Sequence, residues 1–126
     1  MTGENVPKVD GRLSTHVLDI HAGRPAAGMA IELYEGVGER WHRIASAVTN
    51  ADGRTDRPLI AGRPVPIGRY ELRFAVGDHF RSRGIERGDP SFLDIVPLRF
   101  SVAEPEEHYH VPLLCTPWSY STYRGS

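Results

Sequence analysis

Just past the middle of the chain lies Tyr70-Glu71-Leu72-Arg73-Phe74-Ala75-Val76, a stretch in which large apolar side chains alternate with charged or small ones. Successive side chains of a β-strand point to opposite faces, so this alternation predicts a strand with one buried face. Residues 29–34 alternate in the same way. The chain also has 13 glycines and 10 prolines, which punctuate it at short intervals. Such punctuation favours short strands in a sandwich or a barrel.

Working outward from this stretch, the sequence predicts further short strands and one helix. The additional strands are predicted over residues 13–20, 41–49, 92–102, 108–115 and 118–123. A short helix is predicted over residues 78–87, with Asp78 as its N-cap and Gly88 at its end. The sequence therefore predicts an all-β protein, a β-sandwich of about eight strands with one short helix.

The length and charge of the chain limit its domain count and its partners. A chain of 126 residues fits one domain, which we predict to span residues 13–126 after a flexible, polar leader over residues 1–12. The 15 basic and 16 acidic residues balance closely, whereas nucleic-acid binding calls for a strongly basic face. No apolar run approaches the roughly 18–20 residues that span a membrane, and the N-terminus has no signal-peptide core. With a single cysteine, this indicates a cytoplasmic protein that binds neither nucleic acid nor membrane.

The six histidines include a pair in His108-Tyr109-His110. Residues i and i+2 of a strand share a face, so both imidazoles lie on one face of the predicted strand. The other face, which carries Tyr109, Val111, Leu113 and Cys115, is apolar and should face the core. Solvated surface histidines are the default interpretation of such a pair. A zinc site is disfavoured because paired cysteines are absent and a third ligand would have to be distant, so we predict no metal.

Three further positions have a structural and a functional interpretation. His16 lies at the centre of the first predicted strand, where a histidine is usually a satisfied structural residue. Arg54 follows a turn glycine, and by default it is a loop arginine paired with Asp52 or Asp56. Cys115 lies on the strand face opposite the two nearby histidines, so we predict a small buried side chain rather than a nucleophile.

The last ten residues, 117–126, are rich in aromatic and hydroxyl side chains and carry almost no charge. Disordered tails are usually poorer in aromatic residues. The segment is therefore either a terminal strand that packs on the sandwich or a tail held at a site or a subunit interface.

Four stretches of the sequence together resemble the 5-hydroxyisourate hydrolase family, the transthyretin-related enzymes of urate degradation. They are Leu13-Ser14-Thr15-His16-Val17-Leu18-Asp19, Thr49-Asn50-Ala51-Asp52-Gly53-Arg54, His108-Tyr109-His110-Val111-Pro112-Leu113-Leu114 and Tyr123-Arg124-Gly125-Ser126. The terminal tetrapeptide is the most specific of them. Transthyretin itself shares the fold but lacks the His-x-His pair and this ending.

The resemblance implies a transthyretin-like sandwich of two four-stranded sheets. It also implies a homotetramer, a dimer of dimers, with active sites at the dimer–dimer interface. Catalytic roles carry over to His16, Arg54 and His110. Substrate-binding roles carry over to His108, Tyr123, Arg124 and Ser126.

The implied reaction is the hydrolysis of 5-hydroxyisourate to 2-oxo-4-hydroxy-4-carboxy-5-ureidoimidazoline, a step of purine breakdown. No cofactor is expected, because the cyclic amide is activated within its own ring. The residues leave open whether His16 or His110 is the general base. They also leave two alternatives to an enzyme, a transthyretin-like carrier of a small molecule and a sandwich that only mediates protein contacts.

Overall fold

The computed structural model describes residues 10–125. Within this range the strands are β1 (Gly11–Ser14), β2 (Val17–Asp19), β3 (Arg24–Pro25), β4 (Ala30–Val37), β5 (Arg40–Val48), β6 (Ile60–Arg63), β7 (Gly68–Ala75), β8 (Ile95–Val102), β9 (His108–His110), β10 (Leu113–Cys115) and β11 (Tyr120–Thr122). One helix, α1 (Val76–Ser82), lies between β7 and β8. The strands form two layers around a shared hydrophobic core, which confirms the predicted all-β sandwich with one short helix.

The first layer is an antiparallel sheet with the strand order β5-β4-β7-β8. Its central strands β4 and β7 place Leu33 opposite Leu72. Leu33, Leu72 and Phe74 are fully buried, so the alternating residues of β7 form one wall of the core as predicted. All three pairings of this layer are antiparallel, but only β4 and β5 are joined by a short turn.

The second layer consists of two short sheets placed end to end, with the orders β6-β1-β9 and β11-β10-β2-β3. Parallel pairing joins β1 to β9 and β2 to β10. The interruption coincides with Pro112, which has no N–H to donate to a ladder. Two hydrogen bonds still cross the interruption, from Val111 N to Ser14 O and from Leu113 N to His16 O, both at 2.9 Å. The two predicted strands 13–20 and 108–115 are therefore each split in two, while their mutual register continues.

The helix differs from the prediction at both ends. It begins at Val76, directly after β7, and Asp78 lies in its first turn instead of capping it. Gly77 N donates to Asp94 O at 2.9 Å, which ties the first turn to the chain that enters β8. The chain leaves the helix before Gly84, which has a φ of +70° that only glycine adopts readily. The predicted extension to residue 87 is therefore wrong.

Other boundaries also differ from the sequence-based prediction. β8 begins at Ile95, later than the predicted start at residue 92, and β6 has no counterpart among the predicted strands. β6 contains Gly62 at a φ of +75°. A glycine inside a strand interrupts the alternation of apolar and polar side chains from which a strand is predicted. β1 begins at Gly11, inside the segment predicted as a leader, and residues 1–9 lie outside the described part of the chain. No helix among the described residues is long and apolar enough to cross a membrane.

Candidate active site

The outer face of the second layer carries the polar side chains singled out in the sequence. Along β9 and β10, Tyr109, Val111, Leu113 and Cys115 are buried, as strand parity predicts. Along the first strand, Leu13, Thr15 and Val17 are buried in the same way. The residues between them, including Ser14, His16, His108 and His110, therefore lie on the opposite face, away from the core.

A tight turn places Arg54 beside His16. The two residues form an antiparallel β-bridge, and Val17 N donates to Gly53 O at 2.8 Å. Gly53 has a φ of +74°, and a Cβ at this position would lie only 2.3 Å from Val17 O. Only glycine fits here, so the turn glycine noted in the sequence is what allows Arg54 to approach His16.

The Arg54 guanidinium forms no ion pair with any carboxylate of residues 10–125. The predicted pairing with Asp52 or Asp56 is therefore not formed. Asn50 uses its side chain for the turn instead, accepting from Asp52 N at 2.9 Å and from Arg54 N at 3.2 Å. The charge of Arg54 remains available to a ligand.

The imidazole of His16 is held by a backbone carbonyl. His16 Nε2 lies 2.8 Å from Asp52 O. A carbonyl oxygen only accepts hydrogen bonds, so Nε2 must carry the proton and donate it. In neutral His16 the lone pair is then on Nδ1.

The imidazole of His110 is held by a hydroxyl. His110 Nδ1 lies 2.9 Å from Ser14 Oγ, across the parallel pairing of β1 and β9. Partial burial lowers the pKa of His110, and the nearby charge of Arg54, together with that of His16 whenever His16 is protonated, lowers it further. Each of these effects disfavours the imidazolium, so His110 is a neutral imidazole at pH 7.

An open cavity of about 340 Å³ lies beside His110 and is called here the His110 hollow. Its lining residues are Arg12, Ser14, Arg54, His108 and His110. The structure thus brings three predicted site residues, Arg54, His108 and His110, to one cavity, with His16 bridged to Arg54. Arg12 and Ser14 were not among the predicted site residues. Strand parity could have found them, because residues 12, 14 and 16 share a face.

The C-terminal segment reaches His110 through its backbone. Gly125 N donates to His110 O at 2.7 Å. A Cβ on Gly125 would lie 2.8 Å from His110 Cδ2, closer than side-chain carbons approach one another. The glycine of the terminal tetrapeptide therefore lets the chain pass directly against the imidazole.

The side chains of Tyr123 and Arg124 lie away from the His110 hollow in the single chain. Arg124 pairs with Glu107 at 2.7 Å and lies over the Tyr109 ring at 4.3 Å. Tyr123 and Arg124 line a separate cavity of about 230 Å³, which borders β8. The structure does not bring them to the His110 hollow, and the predicted site residue Ser126 lies outside the described residues.

Cys115 is fully buried, as predicted. Burial raises the pKa of its thiol to about 12, and the neighbouring charge of Asp19 acts in the same direction. A thiol with this pKa is protonated at pH 7 and is a poor nucleophile. The chemistry of the site therefore depends on imidazole and guanidinium groups.

Comparison with known proteins assigns the class of this fold and site. The model of the HIUase/Transthyretin family matches residues 13–125. The chain belongs to this family, as the resemblance of its motifs predicted.

Individual relatives agree with the assignment. The 5-hydroxyisourate hydrolase 2 of Rhizobium meliloti (strain 1021) is 55% identical over 116 residues, covering 92% of this chain and 97% of the relative. The structure of the Klebsiella pneumoniae 5-hydroxyisourate hydrolase is 38% identical with a TM-score of 0.77, and the match covers 92% of this chain and 99% of that one. A crystal structure of (S)-allantoin synthase is 43% identical with a TM-score of 0.87, over 94% of this chain. This chain spans only 45% of the length of that synthase.

Proposed function

We propose that this chain hydrolyses 5-hydroxyisourate to 2-oxo-4-hydroxy-4-carboxy-5-ureidoimidazoline, the activity that the names of its relatives carry. The observation that carries the proposal is the gathering of Arg54 and neutral His110 around one open hollow, with His16 bridged to Arg54. Amide hydrolysis needs a base for water, a cation for the developing oxyanion and an acid for the leaving nitrogen. These side chains can supply all three.

His110 is the general base of the proposed mechanism. Its pKa is lowered by burial and by the charge of Arg54, so His110 is unprotonated near pH 7, as a general base must be. In this mechanism Nδ1–H donates to Ser14 Oγ, and Nε2 carries the lone pair that takes a proton from water. The water oxygen bonds to the amide carbon as this proton leaves. When the ring C–N bond breaks, the proton on Nε2 passes to the departing nitrogen.

Arg54 stabilises the charge that builds on the carbonyl oxygen. Its guanidinium is permanently protonated and presents a planar set of donors that matches an oxyanion or a urea-like edge. It is free of ion pairs among residues 10–125, so the charge is not already neutralised. His16 is bridged to Arg54, and its proposed role is to orient the attacking water through Nδ1, which is an acceptor while Asp52 O holds the proton on Nε2.

His108, Tyr123, Arg124 and Ser126 are proposed to contact the substrate. His108 lines the His110 hollow directly. Tyr123 is 59% exposed and lies outside the hollow of its own chain, so its contact with substrate calls for a second copy. The backbone of the tail already touches His110 through Gly125, which supports a role for this segment at the site.

The proposed assembly is a homotetramer, a dimer of dimers with sites at the dimer–dimer interface, in the cytoplasm. Three large side chains near the end of β2 and around β11 support an interface, because Ile20, Trp118 and Tyr120 are 49%, 58% and 44% exposed. Surface patches of this kind commonly mark protein contacts. Light scattering coupled to size exclusion tests the assembly, and a mass of one chain at micromolar concentration contradicts it.

Ultraviolet absorbance of freshly generated 5-hydroxyisourate tests the activity. The wild-type chain should accelerate the decay well beyond the spontaneous rate, and His16→Ala, Arg54→Ala and His110→Ala should each lower kcat by about 10²-fold or more. His42→Ala is the matched control, since His42 is exposed on β5 in the other layer. A decay no faster than the spontaneous one with the wild-type chain would refute the hydrolase and leave the carrier.

A further inference from the structure

We infer that Ser14 is a positioning residue that sets which ring nitrogen of His110 carries the proton, so that Nε2 presents its lone pair to the His110 hollow. This inference rests on the proposed function, which makes His110 the base. Ser14 does not take part in the chemistry itself. It acts on the reaction only through the imidazole.

The backbone places Ser14 opposite His110. The two residues are direct partners in the parallel pairing of β1 and β9. Val111 N donates to Ser14 O at 2.9 Å, which holds the register at this point. Because the sheet fixes both Cα atoms and both side chains point to the same face, the 2.9 Å contact between Ser14 Oγ and His110 Nδ1 follows from the fold.

The chemistry of the partner atom distinguishes His110 from His16. His16 faces a carbonyl oxygen of Asp52, which accepts only, so its protonation pattern is fixed. His110 faces a hydroxyl, which can accept a hydrogen bond from Nδ1–H or donate one to an unprotonated Nδ1; the proposed base requires the first arrangement. It can therefore hold the proton on Nδ1 while Nε2 is empty, and keep the same bond after Nε2 has taken a proton from water. Ser14 thus fits both the resting and the protonated form of the base.

A second contact, with Gly125, positions the His110 ring independently of Ser14. Gly125 lies against the opposite edge of the imidazole, and a Cβ there would be 2.8 Å from Cδ2 and 3.3 Å from Cγ. The ring is therefore held between β1 and the tail. If Ser14 is replaced, Gly125 still restricts the position of the ring, while the proton is free to move to Nε2, the nitrogen it prefers in free histidine.

The test uses the full-length chain with Ser14→Ala, Ser14→Thr as the variant that keeps the hydroxyl, and Ser46→Ala as the matched control. Ser46 is exposed on β5, in the other layer, and makes no side-chain hydrogen bond among residues 10–125. The ¹⁵N chemical shifts of the His110 ring, assigned by their loss in His110→Gln, report the protonated nitrogen without any substrate. The wild-type chain should show Nδ1–H, and Ser14→Ala should show Nε2–H.

Kinetics give the second readout. Ser14→Ala should lower kcat about tenfold or more with KM changed less than about twofold, because proton transfer and not binding is affected. Ser14→Thr should recover most of kcat, and Ser46→Ala should match the wild type. Nδ1–H in both wild type and Ser14→Ala, or an unchanged kcat in Ser14→Ala, overturns the inference while the hydrolase stands. If the wild-type chain itself does not hydrolyse 5-hydroxyisourate, the proposed function fails, and the ¹⁵N shifts still decide the role of Ser14.

Discussion

Replacing Gly125 by alanine should impair catalysis far more than stability. The new Cβ would lie 2.8 Å from His110 Cδ2, 3.2 Å from His110 Cβ and 3.3 Å from Cγ. Carbon atoms pack at about 3.5–4.0 Å, so either the imidazole or the tail must move by roughly 0.7 Å or more. Gly125 is not among the residues with a positive φ, so alanine meets no backbone strain of its own.

The size of the effect follows from the two possible responses to this overlap. If the ring moves, its bond to Ser14 and its aim into the His110 hollow are lost, and a displacement near 1 Å costs about 10²-fold in rate. If the tail moves, the bond from Gly125 N to His110 O is lost, at about 1 kcal/mol of stability. We therefore expect kcat to fall by 10- to 100-fold while the free energy of unfolding changes by about 1 kcal/mol.

The assay is the initial rate of 5-hydroxyisourate decay for Gly125→Ala, with urea unfolding of the same samples. Gly88→Ala is a suitable control, because this exposed glycine follows α1, also lacks a positive φ, and is not a lining residue of the His110 hollow. A kcat for Gly125→Ala within about threefold of the wild type would refute the reasoning. It would mean that the tail can shift without disturbing His110.

Three further outcomes are expected. Arg54→Gln removes a positive charge that lowers the pKa of His110, so that pKa should rise, as followed by NMR titration, and the acid limb of any residual activity should move to higher pH. Asp19→Ala should cost about 3 kcal/mol or more in urea unfolding, because Asp19 Oδ2 is the 2.9 Å partner of His79 Nε2 and both side chains are buried. Cys115 should resist alkylation in the native protein at pH 8. Its pKa is raised in the folded state from 9.0 to about 12, so the folded state retains a proton that the unfolded state loses, and stability should fall as pH rises above about 9.

Local patterns in the sequence predict which face of an individual strand is buried. The core-facing residues of β7 and of residues 108–115 are predicted correctly, because a core covers one face of each strand. On the other face of β7, Glu71 is also buried, paired with Arg73 and Arg99, which the alternation does not predict. The predicted ends of the helix and of the strands are wrong where contacts with distant residues determine them. Gly77 is fixed by Asp94 O, and no local pattern reveals that bond.

The site was predictable only in part, for the same reason. Resemblance to a family supplied His16, Arg54 and His110, and strand parity alone could have added Ser14 to their face. That Ser14 Oγ meets His110 Nδ1 depends on a register between residues 96 positions apart, which periodicity does not encode. The close approach of Gly125 to the imidazole likewise requires the tail to return across the sheet.

The parallel pairing of β1 with β9 has a consequence for how the protein folds. Paired residues of the first layer lie at most 43 positions apart, as Ile31 and Phe74 do, whereas Ser14 and His110 in the His110 hollow are 96 positions apart. Closing so large a loop carries an entropic cost that local hairpins avoid, and pairings of this kind form late. Recovery of hydrolysis during refolding should therefore lag behind the return of β-structure in circular dichroism. Activity then reports the completion of folding, since a chain that ends before residue 110 lacks the general base of the proposed mechanism.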